Sequence, residues 1–391
     1  MLNYLKSLYS YLESQYLLFI INMNKHKICI VGDGLSGLMS ALALSKLSKV
    51  KVDLLSKNGS KALDKRTTAV SESNYKFLKE NVNNLSSKLF WPSKNIELFY
   101  ENEKQKINFL NLTEKSKNLM YIFENHKLKK FLISEIKKKG INVLNKEIKN
   151  TKELDKYDLV ILCLGRNSSI YEKIIANRSI NKDYNEVAIT GYVNHNFKKL
   201  NTSQFFLKQG PMAILPFSKE KFSFVWSINN KYFNLHRKNI KQIVNQKLAD
   251  ILETKKKFKV SNIHSYPILL DLKKNYYNKN ILILGEGLHT IHPVAGQGFN
   301  LVLRDIKELK DIIKYYIDLG ISLKSSYVLK DFYNKRKPEN TIMALGVDAT
   351  HNFFKKNKHV DPIKSVILDK IKNNETLKHL SKIISNKGLY F

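Results

Sequence analysis

Apolar and polar positions along the chain alternate with different periods in different stretches, and those periods predict the elements. Near the start, the short apolar run "KICIVG" reads as a buried strand, "DGLSGLMSALALSKL" as a helix with one apolar side, and "VKVDLLS" as a second strand, which together make a βαβ unit. "NHKLKKFLISEIKKKGINVL" carries an amphipathic helical pattern that ends in a strand, and "YDLVILCLG" is a further buried strand. From Val187 to Trp226 the period changes to two, through "AITGYVNH", "TSQFFLK", "MAILPF" and "FSFVWSI", as expected of an antiparallel sheet. Helical spacing returns in "NIKQIVNQKLADIL", the strand "NILILG" follows, and the chain after Leu301 is helical and lysine-rich. Between Asn58 and Glu101 the chain reads as polar and irregular. No internal repeat interrupts this order.

The predicted fold class is therefore α/β: a Rossmann-like nucleotide-binding domain interrupted by an antiparallel β-sheet domain, with C-terminal helices. The expected segments are an N-terminal extension (1–24), three nucleotide-binding parts (25–75, 101–185 and 276–305), two insertions for the substrate domain (76–100 and 186–275) and a helical region (306–391).

The turn of the βαβ unit reads Gly32, Asp33, Gly34, Leu35, Ser36, Gly37, the G-x-G-x-x-G order in its strand-to-helix setting. Gly32 permits the tight turn, Gly34 lets the backbone approach a pyrophosphate, and Gly37 lets helix and strand pack closely. The acid expected at the end of the second strand is replaced by Ser56, which offers a hydrogen bond without charge, and Lys57 follows it. A Ser-Lys pair there also suits the 2′-phosphate of NADP, so an NADP-dependent oxidoreductase is one reading of this motif.

Charge changes the picture less than its size suggests. The 67 Lys+Arg against 34 Asp+Glu give a formal net charge of +33, but the lysines are spread over nearly every segment rather than gathered on one motif, so no nucleic-acid partner is expected. The scatter among Asn and Ile reads as a coding bias toward AT-rich codons, with a peripheral attraction to acidic lipid head groups as the alternative. The two cysteines form no metal-like spacing, and a reducing, cytoplasmic setting is expected. In the first 22 residues "YLLFIINM" is too short to span a bilayer, so this stretch reads as a dispensable extension or as a helix lying on a membrane surface.

The stretch "GEGLHTIHPVAGQGFN", Gly285 to Asn300, has three readings: a metal site, a plain turn or the rim of a cofactor pocket. His289 and His292 have H-x-x-H spacing but no third ligand nearby in the chain, so no metal is expected. His289 reads instead as a structural hydrogen-bonding residue.

At this point the chain resembles a family. Gly285, Glu286, Gly287, Leu288, His289, Pro293, Gly296, Gln297, Gly298 and Asn300 match the flavin motif G-D-A-A-H-x-x-x-P-x-x-G-Q-G-x-N of the FAD-dependent aromatic hydroxylases of the p-hydroxybenzoate hydroxylase group, and within it the ubiquinone-biosynthesis hydroxylases. "LDKRTTAVS" is similar to the family's D-x-R-x-x-A-L-S segment, "GPMAILPF" and "FVWS" to its substrate-sheet strands, and "FYNKRKPENTIMALGVDATHNFF" to its C-terminal helices. The resemblance runs from about Lys25 to about Phe354. The chain departs from it at Ser56, at Glu286 where the family has aspartate, and in the middle motif D-x-x-x-x-A-D-G-x-x-S-x-x-R. There Asp158, Cys163, Gly165 and Ser168 keep the frame, but Leu164 replaces the acid and Tyr171 the arginine.

The resemblance implies FAD, held by Gly32, Gly34, Gly37, Ser56, Arg66, Glu286, Pro293, Gly296, Gln297, Gly298 and Asn300, with NADH or NADPH as electron donor. It implies hydroxylation of the ring of a polyprenylated phenol by O2, through a flavin C4a-hydroperoxide, in ubiquinone biosynthesis. A ubiquinone-synthesis complex and a peripheral place at the inner face of the membrane are implied partners. No side chain acts as a nucleophile. The pocket must be dry, and Leu215, Pro216, Phe217, Val225 and Trp226 are its expected walls. Leu164 and Tyr171 motivate a second reading, a non-catalytic flavin- or lipid-binding member of such a complex.

Overall fold

A computed structural model describes residues 25–57, 63–101, 105–148, 151–166, 168–174, 179–355, 361–377 and 379; the N-terminal extension lies outside the described residues. Three sheets organise it. In the six-stranded sheet the order is Tyr277–Asn278, Ile281–Ile283, Leu159–Leu162, His26–Val31, Val50–Ser56 and Asn142–Asn145, parallel throughout except at its first edge pair. Its central strands are apolar on both faces because helices cover both, as the unbroken runs "ICIV" and "LVIL" require. The helices Leu35–Leu44, Asn125–Lys138 and Gly298–Asp318 bury Leu38, Leu132 and Leu303 in the same core.

The second sheet has eight strands in the order His289–Thr290, Lys259–Lys273, Ser179–Asn194, Lys221–Asn229, Gly210–Pro216, Thr202–Leu207, Asn95–Glu101 and Lys106–Thr113. It is antiparallel as expected, with one parallel pair between Thr202–Leu207 and Asn95–Glu101. It draws on more of the chain than the 76–100 and 186–275 segments expected for it. Lys106–Thr113 and residues 179–185 belong to it, because "KINFLNLT" pairs back onto Asn95–Glu101 and the strand before Val187 extends to Ser179. The stretch read as irregular also contains the strand Thr67–Ser71 and the helix Glu72–Asn81, whose N-cap Ser71 side chain accepts from the Asn74 amide. Thr67–Ser71 forms a three-stranded sheet with Met120–Glu124 and Trp91–Ser93. The strands of this sheet are only three to five residues long, too short for a periodic signal. The large sheet packs one face on the helix Ile240–Ile251 and turns the other toward the nucleotide-binding half. The long helix Ser326–Phe354 closes that side, burying Met343, Ala344 and Val347 with sheet residues.

Candidate functional site

The first glycine turn is dictated by close backbone contacts. At Gly32, φ is +114° and an added Cβ would lie 2.3 Å from the Cys163 carbonyl oxygen; at Gly37 it would lie 1.9 Å from that of Gly32. No side chain fits at either place. Gly34 differs, since a Cβ there meets nothing within 4 Å. Gly34 is also the N-cap of the helix Leu35–Leu44, which has no side-chain cap and no acid in its first turn. Its leading amides therefore face open space with no anionic side chain to meet them.

The second turn faces the same space. The Gly285–Gly287 helical turn and the Val294–Gly296 turn flank the strand His289–Thr290, and the helix Gly298–Asp318 then starts with no side-chain cap and no acid in its first turn. Asn300 locks this arrangement. Its amide donates to the carbonyls of Ala69 and Gly296, both 3.1 Å away, and its oxygen accepts from the Ser71 backbone amide at 2.9 Å and the Asn74 side chain at 2.7 Å. Asn300 thus staples the strand Thr67–Ser71 to the glycine turn.

Arg66 closes a third side. Its guanidinium makes a two-pronged contact with Asp64, both bonds 2.8 Å, sits 5.1 Å from the Tyr266 ring centre and lies 4.0 Å from Glu286. Asn125 holds Asp64 from the other side at 2.9 Å. Burial alone would raise the Asp64 carboxyl, but the Arg66 bonds and charge and the Asn125 amide outweigh it and keep it below its ordinary range.

Gly34, Ser36, Arg66, Glu286, Pro293, Gly296, Gln297, Gly298 and Asn300 all line one cavity of about 1070 Å³. Ser56 is not among its lining residues: it ends its strand with its carbonyl accepting from the Lys146 amide. Lys57 pairs with Glu147 at 2.8 Å on an exposed surface and, like Ser56, is not among the residues that line the cavity. The lining divides by source. The turns and the 64–68 segment supply charged groups; the large sheet supplies apolar side chains including Ile96, Leu98, Leu112, Phe206 and Ile268, together with the neutral polar Thr190, Gln204 and Ser223.

Of the expected walls, Leu215 and Val225 line the cavity. Trp226 does not: it is fully buried in the core on the opposite face. Pro216 is likewise outside the lining, and Phe217 packs its ring 4.9 Å from that of Tyr192 instead. Successive residues of a strand point to opposite faces, so Leu215 with Pro216, or Val225 with Trp226, cannot serve the same pocket.

Each histidine of the opening stretch has a buried partner. His289 Nε2 meets Asp305 at 2.6 Å, and Asp305 also accepts from Arg336 at 2.6 Å, within a cluster that includes Glu339 and Asn340. Burial would raise Asp305; the Arg336 and His289 charges hold it low. His292 corrects the expectation that no further ligand lies near it. Glu186, from the large sheet, and His351, from the long helix, join it, with one ligand atom from each residue all within 4.8 Å of one another. The bond pattern nonetheless ties this trio to protons. The Val294 amide donates to His292 Nδ1 at 3.1 Å, which places the ring proton on Nε2, and that atom faces Glu186 at 3.2 Å. His292 therefore presents a donor, not a lone pair, to Glu186, and His351 Nε2 meets the same carboxylate at 3.0 Å.

Asp64, Asn125, Tyr192, Glu186 and His351 were not singled out in the sequence. Asp64 was legible beside Arg66 in "LDKR"; the others come from distant segments and carried no local signal.

Comparisons with known proteins bear on the fold and on sequence kinship. A family model described as squalene epoxidase matches residues 227–376. Ubiquinone biosynthesis monooxygenase COQ6 of Dictyostelium discoideum is 25% identical, over 66% of this chain and 69% of its own length. Other curated relatives are matched over 26% to 50% of their length. Among solved structures, p-nitrophenol 4-monooxygenase PnpA from Pseudomonas putida superposes with a TM-score of 0.77 at 12% identity, covering 94% of this chain and 99% of its own. PqsL from Pseudomonas aeruginosa, a probable FAD-dependent monooxygenase, gives 0.67 at 14% identity, covering 85% and 97%. The chain is thus similar in sequence to proteins named as ubiquinone-biosynthesis monooxygenases, and it shares the fold of FAD-dependent monooxygenases.

Proposed function

We propose that this chain is an FAD-dependent monooxygenase that hydroxylates the aromatic ring of a phenol carrying an isoprenoid tail, on the route to ubiquinone. One observation carries the reading: a single cavity joins two uncapped helix N-termini, each behind a glycine turn, to a sheet face that presents Leu98, Leu215, Val225 and Ile268 among neutral polar side chains. The residues present fit FAD. The open space over Gly34 and the amides behind it suit a pyrophosphate, and Glu286, 60% exposed, offers acceptor oxygens to ribityl hydroxyls. The amides at Gly298 suit negative charge on the reduced ring. When bound, FAD supplies the activation of O2 and the transfer of one oxygen atom. The chain binds and orients the phenol and keeps water out, with Leu215, Val225 and Ile268 against the apolar part of the substrate.

NADH or NADPH as the reductant, a quinone-synthesis complex as partner and a peripheral membrane site belong to this proposal. No helix among the described residues is long and apolar enough to cross a membrane.

The purified chain should turn yellow with FAD, and Gly34→Leu should abolish that binding while leaving the melting temperature of the flavin-free protein within about 2 °C. A chain that stays colourless sinks the proposal. Complementation of strains lacking each ubiquinone hydroxylase, with the accumulated intermediates identified by mass, assigns the ring position. FAD binding without rescue of any strain points to the non-catalytic reading.

A further inference from the structure

Three departures from the flavin-hydroxylase motifs meet at one side chain. Leu164 stands where the motif has an acid, Tyr171 where it has arginine, and Gly287 where it has alanine. In the fold, the Leu164 amide donates to Tyr171 Oη at 3.1 Å. A Cβ added at Gly287 would fall 2.3 Å from that oxygen, 2.5 Å from Cζ and 2.7 Å from Cε2 of the same ring. Tyr171 is 1% exposed, so its ring has nowhere to swing. Gly287 is glycine because Tyr171 is there.

The turn that Tyr171 touches is the one that carries Glu286. Its entry is fixed by the Leu284 amide on the Leu162 carbonyl at 3.0 Å. Its exit is fixed by the Leu288 amide on the Gly285 carbonyl at 2.9 Å and by the Thr290 hydroxyl on the Glu286 carbonyl at 3.0 Å. Gly285, at φ +84°, packs against Ser36 of the first glycine helix. The flank of the turn rests on the Tyr171 ring, and Tyr171 in turn is anchored to the end of the strand Leu159–Leu162 through Leu164. No charge takes part in this contact.

We propose that Tyr171 is a positioning residue for the flavin: it stands as a neutral buttress that holds the Gly285–Gly287 turn, and through it sets the Glu286 carboxylate toward the ribityl chain. The inference rests on FAD being the cofactor. The unusual middle motif is then a compensated change, and Leu164 serves through its backbone amide rather than its side chain.

The test measures FAD affinity and the visible circular dichroism of bound flavin on the full chain, starting from flavin-free protein. Gly287→Ala should weaken FAD binding by about tenfold or more, and adding Tyr171→Ala should recover much of that loss even though it opens a cavity. Tyr171→Phe keeps the ring but removes the acceptor for the Leu164 amide; it should weaken FAD by about threefold to tenfold and alter the flavin dichroism. In a Glu286→Ala background, Tyr171→Phe should change FAD affinity no further. Two results would overturn the inference: Gly287→Ala binding FAD as tightly as wild type, or Tyr171→Phe costing the same factor whether or not Glu286 is present. Wild-type protein that binds no FAD instead overturns the reading of the whole site, a result distinct from a coupling that fails in a protein that binds it.

Discussion

The two faces of the eight-stranded sheet are built from neighbouring residues of the same strands and do opposite things. On one face Ile189, Val193, Met212, Ile214, Phe222 and Trp226 interlock with Val244 and Leu248 of the helix Ile240–Ile251, and nearly all are fully buried. On the other face the alternating positions are Ala188, Thr190, Ala213, Leu215, Ser223 and Val225, and these line the cavity. The difference is one of volume as much as polarity. Large side chains fill the space between sheet and helix to interior density, while Ala188, Thr190, Ala213 and Ser223, set among Leu215 and Val225, leave a hollow. A sheet can make a core and a pocket at once because its side chains alternate.

The largest effect should come from the filled face. Trp226→Ala removes a fully buried ring and should cost about 3–5 kcal/mol of stability, read by denaturant unfolding, with FAD affinity of the folded fraction near wild type. Loss of FAD affinity equal to the loss of stability would erase the distinction between the faces. Next in size is the hollow face. Ala213→Trp adds a ring to the cavity and should raise KM for the phenol by about tenfold or more, with stability within about 1 kcal/mol because the ring enters open space rather than a packed core. A melting point that drops as far as that of Trp226→Ala would show the hollow to be core.

This division was legible in part. The period-two pattern from Val187 to Trp226 shows the sheet, and the same alternation separates Leu215 from Pro216 and Val225 from Trp226, so only one residue of each pair can be a wall of the cavity. The first glycine turn was readable from its G-x-G-x-x-G order, although the contact that requires Gly32 comes from Cys163, far along the chain. What could not be read were pairings across large separations. Glu186 and His351 are 165 positions apart, and only the packing of the long helix on the sheet brings them to His292. Tyr171 against Gly287 is of the same kind: two substitutions that look like separate defects along the chain become one contact once the strands are side by side.

The smallest of the expected effects sharpens the comparison on the cavity side, where Glu186 shares its strand and its facing with Ala188 and Thr190. Burial alone would raise the Glu186 carboxyl, but the two imidazole N–H donors of His292 and His351 hold it down to about 2, against an ordinary 4.5. His292 is held below its ordinary 6.5, first by burial. A carboxylate with a depressed pKa stabilises the fold fully above pH 4.5 and loses that contribution as pH falls toward 2. A histidine kept neutral stabilises it above 6.5 and loses that contribution below. Both act in the same direction, so acid should weaken the fold in two stages. Glu186→Gln should remove the lower stage and leave the upper. At neutral pH it should cost only about 1 kcal/mol, because one oxygen of Glu186 already faces both rings, 3.2 Å from His292 Nε2 and 3.1 Å from His351 Nε2. A glutamine carbonyl oxygen placed there goes on accepting from both N–H groups. Melting temperatures from pH 8 to 3.5 decide it: an unchanged slope below pH 4.5 in Glu186→Gln would place the acid sensitivity elsewhere, on carboxylates outside the cavity face.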